Sequence, residues 1–345
     1  MMNIAELTRA LVDIESITNH EEAVGKYLLE HLSRLAGRTG GRAERCEVEP
    51  HRFNVLARWG NPVVTLSTHM DTVPPFFPSR EDDEFVWGRG SADAKGIIAA
   101  MIAAAEGLLD SGIRDFALLF VVGEERNSAG AYVAARNPHG SRYLINGEPT
   151  ENKLALASKG VLRYEIVAQG KLAHSAYPEL GESAIEKLLD ALDRVRAIRL
   201  PVDELMGPCT LNVGTISGGR APNVIADAAM AEIAIRLVGD PEPVRRAMKE
   251  AVAGKAEARE VLCIPAMRLE ALDGFATSIV AYTTDIPAFG DSWGKPLLIG
   301  PGNIHVAHTN EERVPKRELA EGARLYQRIT QQLIAASAKD AAAGS

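Results

Sequence analysis

The chain has 345 residues, 46% of them hydrophobic and 24% charged, with a formal net charge of -8. That length suffices for two domains with separate cores. The lack of any basic block argues against nucleic acid as a partner. No apolar run approaches the roughly 18 residues of a membrane helix, so no membrane partner is expected. Cys46, Cys209 and Cys263 are widely spaced and form no CxxC pair. An odd, sparse set does not read as a disulfide framework, and a reducing compartment is expected. Residues 1–9 lack a basic stretch followed by an apolar one. No signal peptide is therefore expected, and the expected location is cytoplasmic.

Residues 4–14 place Ile4, Leu7, Leu11 and Ile14 at helical spacing, and a second helix is expected over 21–35. Strands follow at 54–59 and 63–67. The second is a short apolar run, Val63-Val-Thr-Leu66, leading into Ser67-Thr-His-Met-Asp71. Residues two apart on an extended chain share a side, so His69 and Asp71 leave the strand end together. That suits a metal-ligating imidazole steadied by a carboxylate, although a His at a strand end is more often an ordinary polar residue. The Pro-rich stretch 73–78 cannot lie inside a helix or central strand, and reads as a loop beside that end.

Glycines 88, 90 and 96 mark a tight loop before an expected helix over 97–109. Asp93 lies in this loop, where an N-cap is its plainer reading. The Gly88-Arg-Gly90 turn lacks the full spacing of a phosphate-binding loop. Residues 116–122 read as another buried strand, ending at Gly123-Glu-Glu125, and 142–146 as a shorter one ending at Gly147-Glu-Pro149. At both ends a solvated acidic turn competes with a ligand role.

Beyond residue 158 the pattern changes. Strands are expected at 161–169, 209–217, 228–238 and 259–264, with helices at 183–198 and 241–253. The order β-α-β-β-α-β is that of a ferredoxin-like unit. Residues 158–266 are expected to form this insert, within a first domain made of 1–157 and 267–345. Strands at 277–282 and 296–299 then precede the loop Gly300-Pro-Gly-Asn-Ile-His-Val-Ala-His-Thr-Asn-Glu311. A helix over 318–335 and a disordered Ala/Gly/Ser tail complete the reading.

Ligands of an open α/β sheet gather beyond the carboxyl ends of its strands. His69, Asp93, Glu124, Glu125, Glu148 and a late His all fall there. Two imidazoles and three carboxylates suit two divalent metals that share a carboxylate and activate a water between them. Mixed N/O ligation points to zinc, with cobalt or manganese as alternatives.

Five motifs in order carry a resemblance: Thr68-His-Met-Asp71, Gly88-Arg-Gly-Ser-Ala-Asp-Ala-Lys-Gly96, Gly123-Glu-Glu125, Gly147-Glu-Pro149, and Gly300-Pro-Gly302 with His308-Thr-Asn-Glu311. Over nearly its whole length the chain resembles the M20 metallopeptidase/aminoacylase family, which includes acetylornithine deacetylase, succinyl-diaminopimelate desuccinylase, acetyl-lysine deacetylase and glutamate carboxypeptidases. The resemblance implies an α/β fold: a hydrolase-like catalytic domain with a mixed sheet, and an inserted ferredoxin-like lid and dimerisation domain. It implies that His69, Asp93 and Glu148 hold one metal and Asp93, Glu125 and His308 the other. Asp71 would orient His69, and Glu124 would be the general base. His308 is preferred to His305 as the late ligand. His174, otherwise a plain surface-loop residue, would stabilise the oxyanion, from the partner subunit in dimeric members. Asn223, Tyr177 and Arg236 match the substrate-binding segment, with Arg236 pairing the substrate carboxylate. Arg220 reads equally well as a solvated loop charge.

The expectation is a two-metal amidohydrolase that deacylates a small N-acyl amino acid, with acetylornithine or acetyl-lysine as first choice. The alternatives are a di- or carboxypeptidase and a succinyl-diaminopimelate desuccinylase. A homodimer through the insert is expected. A non-catalytic metal-binding protein is disfavoured by the complete ligand set with Glu124 and His174. A nucleotide-dependent enzyme has only the Gly-Arg-Gly turn behind it.

Overall fold

A capping box starts the first helix: the Asn3 side chain accepts from the Ala5 N–H at 3.1 Å, and Glu6 reaches back to the Asn3 N–H. This sets α1 (Ile4–Val12), with Leu7 and Leu11 buried. In the computed structural model, which describes residues 3–343, the chain then forms α2 (Glu22–Thr39), β1 (Arg42–Glu49), β2 (Arg52–Trp59) and β3 (Val64–His69). Two short strands, β4 (Arg80–Glu81) and β5 (Phe85–Trp87), lead to α3 (Lys95–Asp110). β6 (Phe116–Val121), α4 (Ala129–Arg136) and β7 (Tyr143–Asn146) follow. The chain divides into two compact units, and all these elements belong to the first.

The second unit is 157–268 with 279–283. Entered through β8 (Leu154–Ser158), it contains β9 (Gly160–Gln169), α5 (Ala184–Arg196), the hairpin β10 (Val202–Asp203) and β11 (Gly207–Pro208), then β12 (Thr210–Gly218) and β13 (Ala228–Leu237). α6 (Glu242–Val252), β14 (Glu257–Ile264) and β15 (Met267–Arg268) complete its sequence run. The sheet order β12-β13-β9-β14, antiparallel throughout, is the ferredoxin-like arrangement. Alternation along β13 buries Ala229, Ala231, Ile233, Ile235 and Leu237, which share a core with Leu188 and Leu192 of α5 and Val244 and Met248 of α6. Arg236 lies on the opposite face of the sheet. Residues 279–283, which the sequence pattern assigned to the first domain, belong here. The Lys159 N–H bonds the Val280 carbonyl at 3.0 Å, and the Ser158 hydroxyl donates to the Tyr282 carbonyl at 2.6 Å.

The remaining elements are β16 (Thr277–Val280), α7 (Ile286–Phe289), β17 (Lys295–Leu298), β18 (Arg313–Pro315) and α8 (Lys316–Ala343). The main sheet of the first unit has the order β1-β2-β6-β3-β7-β17 and is mixed. β6, β3, β7 and β17 run parallel, while β1 and β2 are antiparallel additions at one edge. Every residue of β3 and β6 is buried, as in strands covered on both faces. β1 escaped the sequence pattern because it is an edge strand carrying Arg42, Glu44, Arg45 and Glu47, the kind of charge that guards an open edge. α8 continues to Ala343, beyond the expected end at 335, because alanine favours helix. That part of the tail is therefore helical; 344–345 lie outside the described residues.

Candidate metal centre

Because β6, β3, β7 and β17 are parallel neighbours, their carboxyl ends share one edge of the sheet. β3 ends in His69. β6 leads through Val122 into Gly123-Glu124-Glu125. β7 leads through Gly147 to Glu148, and β17 leads to the loop that carries His308. The register is tied at the ends: the Met70 N–H bonds Val121 O at 2.9 Å, Gly147 N–H bonds Ser67 O at 2.8 Å, and Ile299 N–H bonds Asn146 O at 3.1 Å. Asp93 arrives from the loop before α3. It makes no N-cap bond; Ala94 is at the cap position with no side-chain cap.

Two clusters result, each with ligand atoms within 4.8 Å of one another: His69, Asp93 and Glu148, and Asp93, Glu125 and His308. Asp93 joins them. Its Oδ1 is 2.9 Å from His69 Nε2 and its Oδ2 is 3.3 Å from His308 Nε2. His308 Nε2 also stands 3.0 Å from Glu125 Oε2. A tetrahedral ion with bonds of about 2.0–2.1 Å separates its ligands by roughly 3.3 Å, close to this spacing. Glu148 Oε1 is buried without a hydrogen-bond partner. The donor set and this orphaned atom fit a pair of divalent cations. His305 is exposed, and its N–H turns to Asn303 Oδ1; it belongs to neither cluster.

The charges point the same way. Burial, helped by the neighbouring carboxylates and opposed by the charge of His69, leaves the Glu148 carboxyl well above its usual range. Glu124 is also raised well above its usual range, by burial and then by Glu148. Glu125 is raised by burial and Asp93. Burial raises Asp93 too, but hydrogen bonds from His308 and His69 outweigh it and hold the carboxylate below its ordinary range. Asp93 and Glu125 lift the His308 imidazole to about 10. Burial would lower His69, but Asp71 and Asp93 overcome that and raise it well above its ordinary value. In this arrangement protons on the two imidazoles supply positive charge that cations would otherwise supply. Glu124 belongs to neither cluster.

Asp71 does more than the sequence reading assigned it. His69 Nδ1 is 3.0 Å from the Asp71 backbone carbonyl and 3.5 Å from its carboxylate. The carboxylate accepts the backbone N–H groups of Gly123, Glu124 and Glu125 at 3.0, 3.1 and 3.3 Å, and the Thr18 hydroxyl at 2.8 Å. It therefore fixes the turn bearing Glu124 and Glu125 as well as standing beside the imidazole. Gly123 sits at φ +83°, and a Cβ there would come within 2.9 Å of the Arg52 guanidinium, so the turn requires glycine. Arg52 is itself a buried post, held to Glu21 at 2.7 and 2.9 Å.

Sequence spacing does not reveal four buried or half-buried residues around the site: Thr18, Arg89, Glu312 and Asp285. Glu312 was hidden by its neighbour. The last motif was read as closing at Glu311, which is exposed, whereas the buried acid is one residue on. Asp285 is buried just before α7, and burial pushes its carboxyl up to about 7.

The other expected site residues lie in the second unit. His174 and Tyr177 are exposed, with ring centroids 6.3 Å apart. Asn223 joins them: the Ser175 N–H bonds the Asn223 carbonyl at 3.0 Å, and His174 bridges Val224. Arg236 is not part of this group. It pairs with Val161 across the sheet, while Ala228, at the far end of β13, pairs with Gln169 beside the His174 loop. Those eight residues (236 − 228) span roughly 26 Å of strand. The Arg236 side chain is half-buried, its guanidinium has no hydrogen bond or ion pair among the described residues, and burial lowers its pKa. Arg220 is paired with Asp227 at 2.6 Å, the plainer of its two readings.

A family model described as peptidase family M20/M25/M40 matches residues 65–332. A peptidase M20 domain-containing protein of Schizosaccharomyces pombe is 39% identical, over 95% of this chain and 84% of its own. A probable carboxypeptidase of Aspergillus niger is 36% identical, over 93% of this chain and 87% of its own. Among solved structures, aminopeptidase PepT from Bacillus cereus superposes with a TM-score of 0.78 at 21% identity, covering 96% of this chain and 98% of its own.

Proposed function

This chain belongs to peptidase family M20/M25/M40 and is a hydrolase of that family, and we propose that it uses two divalent cations to cleave the amide bond that precedes an amino acid with a free carboxylate. The observation that carries this reading is the sharing of Asp93 between two imidazole–carboxylate clusters, with Glu124 outside both. Zinc suits the mixed nitrogen and oxygen donors, with cobalt and manganese as alternatives. Cations bound there supply Lewis acidity to the scissile carbonyl and lower the pKa of a water.

The rest is the work of this chain's side chains. His69, Asp93 and Glu148 hold one position, and Asp93, Glu125 and His308 the other. Glu124 takes the proton from the attacking water and returns it to the departing amine. Its carboxyl is raised by burial and Glu148, and positive charge at the two positions would bring it back down as a base. Asp71 keeps Glu124 in register through the backbone of its turn. His174 donates to the developing oxyanion. Arg236, whose guanidinium has no partner among the described residues, receives the substrate carboxylate, and Asn223 and Tyr177 of a second copy of the chain are further substrate contacts.

A peptidyl or aminoacyl group is the favoured acyl part, with the C-terminal amino acid departing as the amine, since the relative at 36% identity carries the name of a probable carboxypeptidase. Deacetylation of a small N-acetyl diamino acid, such as acetylornithine or acetyl-lysine, is the second reading. It is favoured by the same unpaired Arg236, which accepts an α-carboxylate of either substrate. Turnover of the cobalt- or zinc-loaded protein on dipeptides, blocked dipeptide amides, acetylornithine, acetyl-lysine and succinyl-diaminopimelate separates them. The favoured reading expects hydrolysis of free dipeptides and none of their carboxamides. Exclusive turnover of acetyl-diamino acids would replace it with the second reading.

A further inference from the structure

Asp93 and His308 come from distant parts of the chain, yet they must stand about 3 Å apart to share a cation. The segment between them contains the whole second unit, so something local must fasten the two loops. We infer that Glu312 is that fastener: a positioning residue that clamps the Gly90–Asp93 loop to the segment carrying His308 and so sets the spacing of the Asp93–Glu125–His308 cluster. The inference rests on the two-cation reading above.

The contacts are specific. Glu312 Oε1 accepts the backbone N–H groups of Gly90, Ala92 and Asp93 at 2.9, 3.2 and 3.1 Å. Its Oε2 meets Arg89 Nη1 at 2.6 Å, and both side chains are 1% exposed. The Glu312 carbonyl accepts the Gly88 N–H at 3.1 Å, just beyond the pairing of β18 with β5. Successive N–H groups converging on one point form a nest for an anion, and Gly90, at φ +88°, takes the left-handed conformation that helps to shape it. The occupant here is the protein's own carboxylate. Arg89 extends the clamp: its Nε donates to the Pro75 carbonyl at 3.2 Å and its guanidinium lies over Phe77. Glu312 thus binds the very backbone unit that carries Asp93, four residues along from His308. The first cluster shares only Asp93 with this clamp, its His69 and Glu148 hanging from β3 and β7, whereas the second takes both Asp93 and His308 from the segments that Glu312 joins. Slack in it should therefore loosen the second cluster first.

A plain buried ion pair can often be replaced by apolar side chains with little loss of stability. That gives a test separating a clamp from a merely structural pair. Two double variants remove the charges: Glu312→Gln with Arg89→Met keeps a carbonyl acceptor for the three N–H groups, and Glu312→Leu with Arg89→Met removes it. Equilibrium dialysis and calorimetry with cobalt(II) on chelator-treated protein read the two binding steps, and circular dichroism with Tm reads the fold.

In the Gln pair the second equivalent should bind within about threefold of the parent. In the Leu pair it should weaken by about 10- to 100-fold, the usual cost of losing a group that orients a ligand, while the first equivalent changes by less than about threefold. Equal binding by the parent and the Leu pair would overturn the inference. So would a Gln pair as weak as the Leu pair, because charge rather than the acceptor would then matter. If the Leu pair does not fold, the Gln pair decides: binding near the parent supports the clamp, and a tenfold loss overturns it. A parent that binds no cobalt would overturn the two-cation reading, and this inference with it.

Discussion

Single side chains decide the chemistry, and their burial makes the consequences measurable. Glu124→Gln keeps the shape of the turn but removes the base. Both cations should still bind, while kcat falls by roughly 10²- to 10⁴-fold, the usual contribution of a positioned base. Undiminished turnover with full metal content would remove Glu124 from that role. A second outcome concerns pH. His308 is lifted to about 10 and His69 well above its ordinary value, so both imidazoles hold protons at neutral pH when no cation is present. Metal binding must displace those protons, so affinity should rise with pH up to about 10 and fall as pH is lowered. Calorimetric titration with cobalt at pH 7, in buffers of different ionisation enthalpy, should report release of at least about two protons per chain, from the imidazoles and any carboxyl ligand that burial keeps protonated. Heats that do not depend on the buffer would contradict this. The residues at strand ends were legible because an apolar run stopping abruptly at His or Glu is an informative pattern. Glu312 and Thr18 were not, because their partners are backbone groups and a distant carboxylate, which no local spacing reveals.

Elements place these residues by register more than by propensity. Parallel pairing of β6, β3, β7 and β17 delivers His69, Glu124, Glu125 and Glu148 to one edge, and a slip of one residue would turn every side chain to the other face. Asp71 ties the end of β3 to the turn after β6 through three N–H groups and a hydroxyl. Asp71→Ala should therefore destabilise the metal-free protein by about 3 kcal/mol, since it strands several buried donors. Urea denaturation measures this, and an unchanged midpoint would mean that the turn holds itself. β3 and β6 could be read from sequence because they are buried on both faces. β1, β4, β5 and β18 could not: the first is charged on an exposed edge, and the others are two or three residues long. Pairing with distant partners, not local pattern, makes those short segments strands.

At the scale of the whole molecule the question is which chain completes the site. His174 and Asn223 sit together at one end of β13, and Arg236 lies roughly 26 Å along the strand from Ala228. One small substrate cannot touch both ends in the same copy of the second unit. We propose a homodimer in which Arg236 serves its own chain and His174 serves the partner's. Inactive His174→Ala and Arg236→Ala variants, mixed and reassembled, should then recover roughly a quarter of parental activity, because half the two-fold dimers regain one complete site. No recovery on mixing, or a fully active monomer, would contradict the exchange. Sequence could show the β-α-β-β-α-β order of the second unit, with Asn223 before β13 and Arg236 near its end, but not that the His174 loop sits at the Asn223 end, because that depends on pairing. The proposed reaction would depend on two neighbouring cations held by clusters that share Asp93. Anomalous diffraction from crystals grown with zinc tests this most directly. Two peaks roughly 3.5–4 Å apart, one beside His69 and Glu148 and the other beside Glu125 and His308, are the expected result; a well-ordered structure with no peak at Asp93 would contradict it.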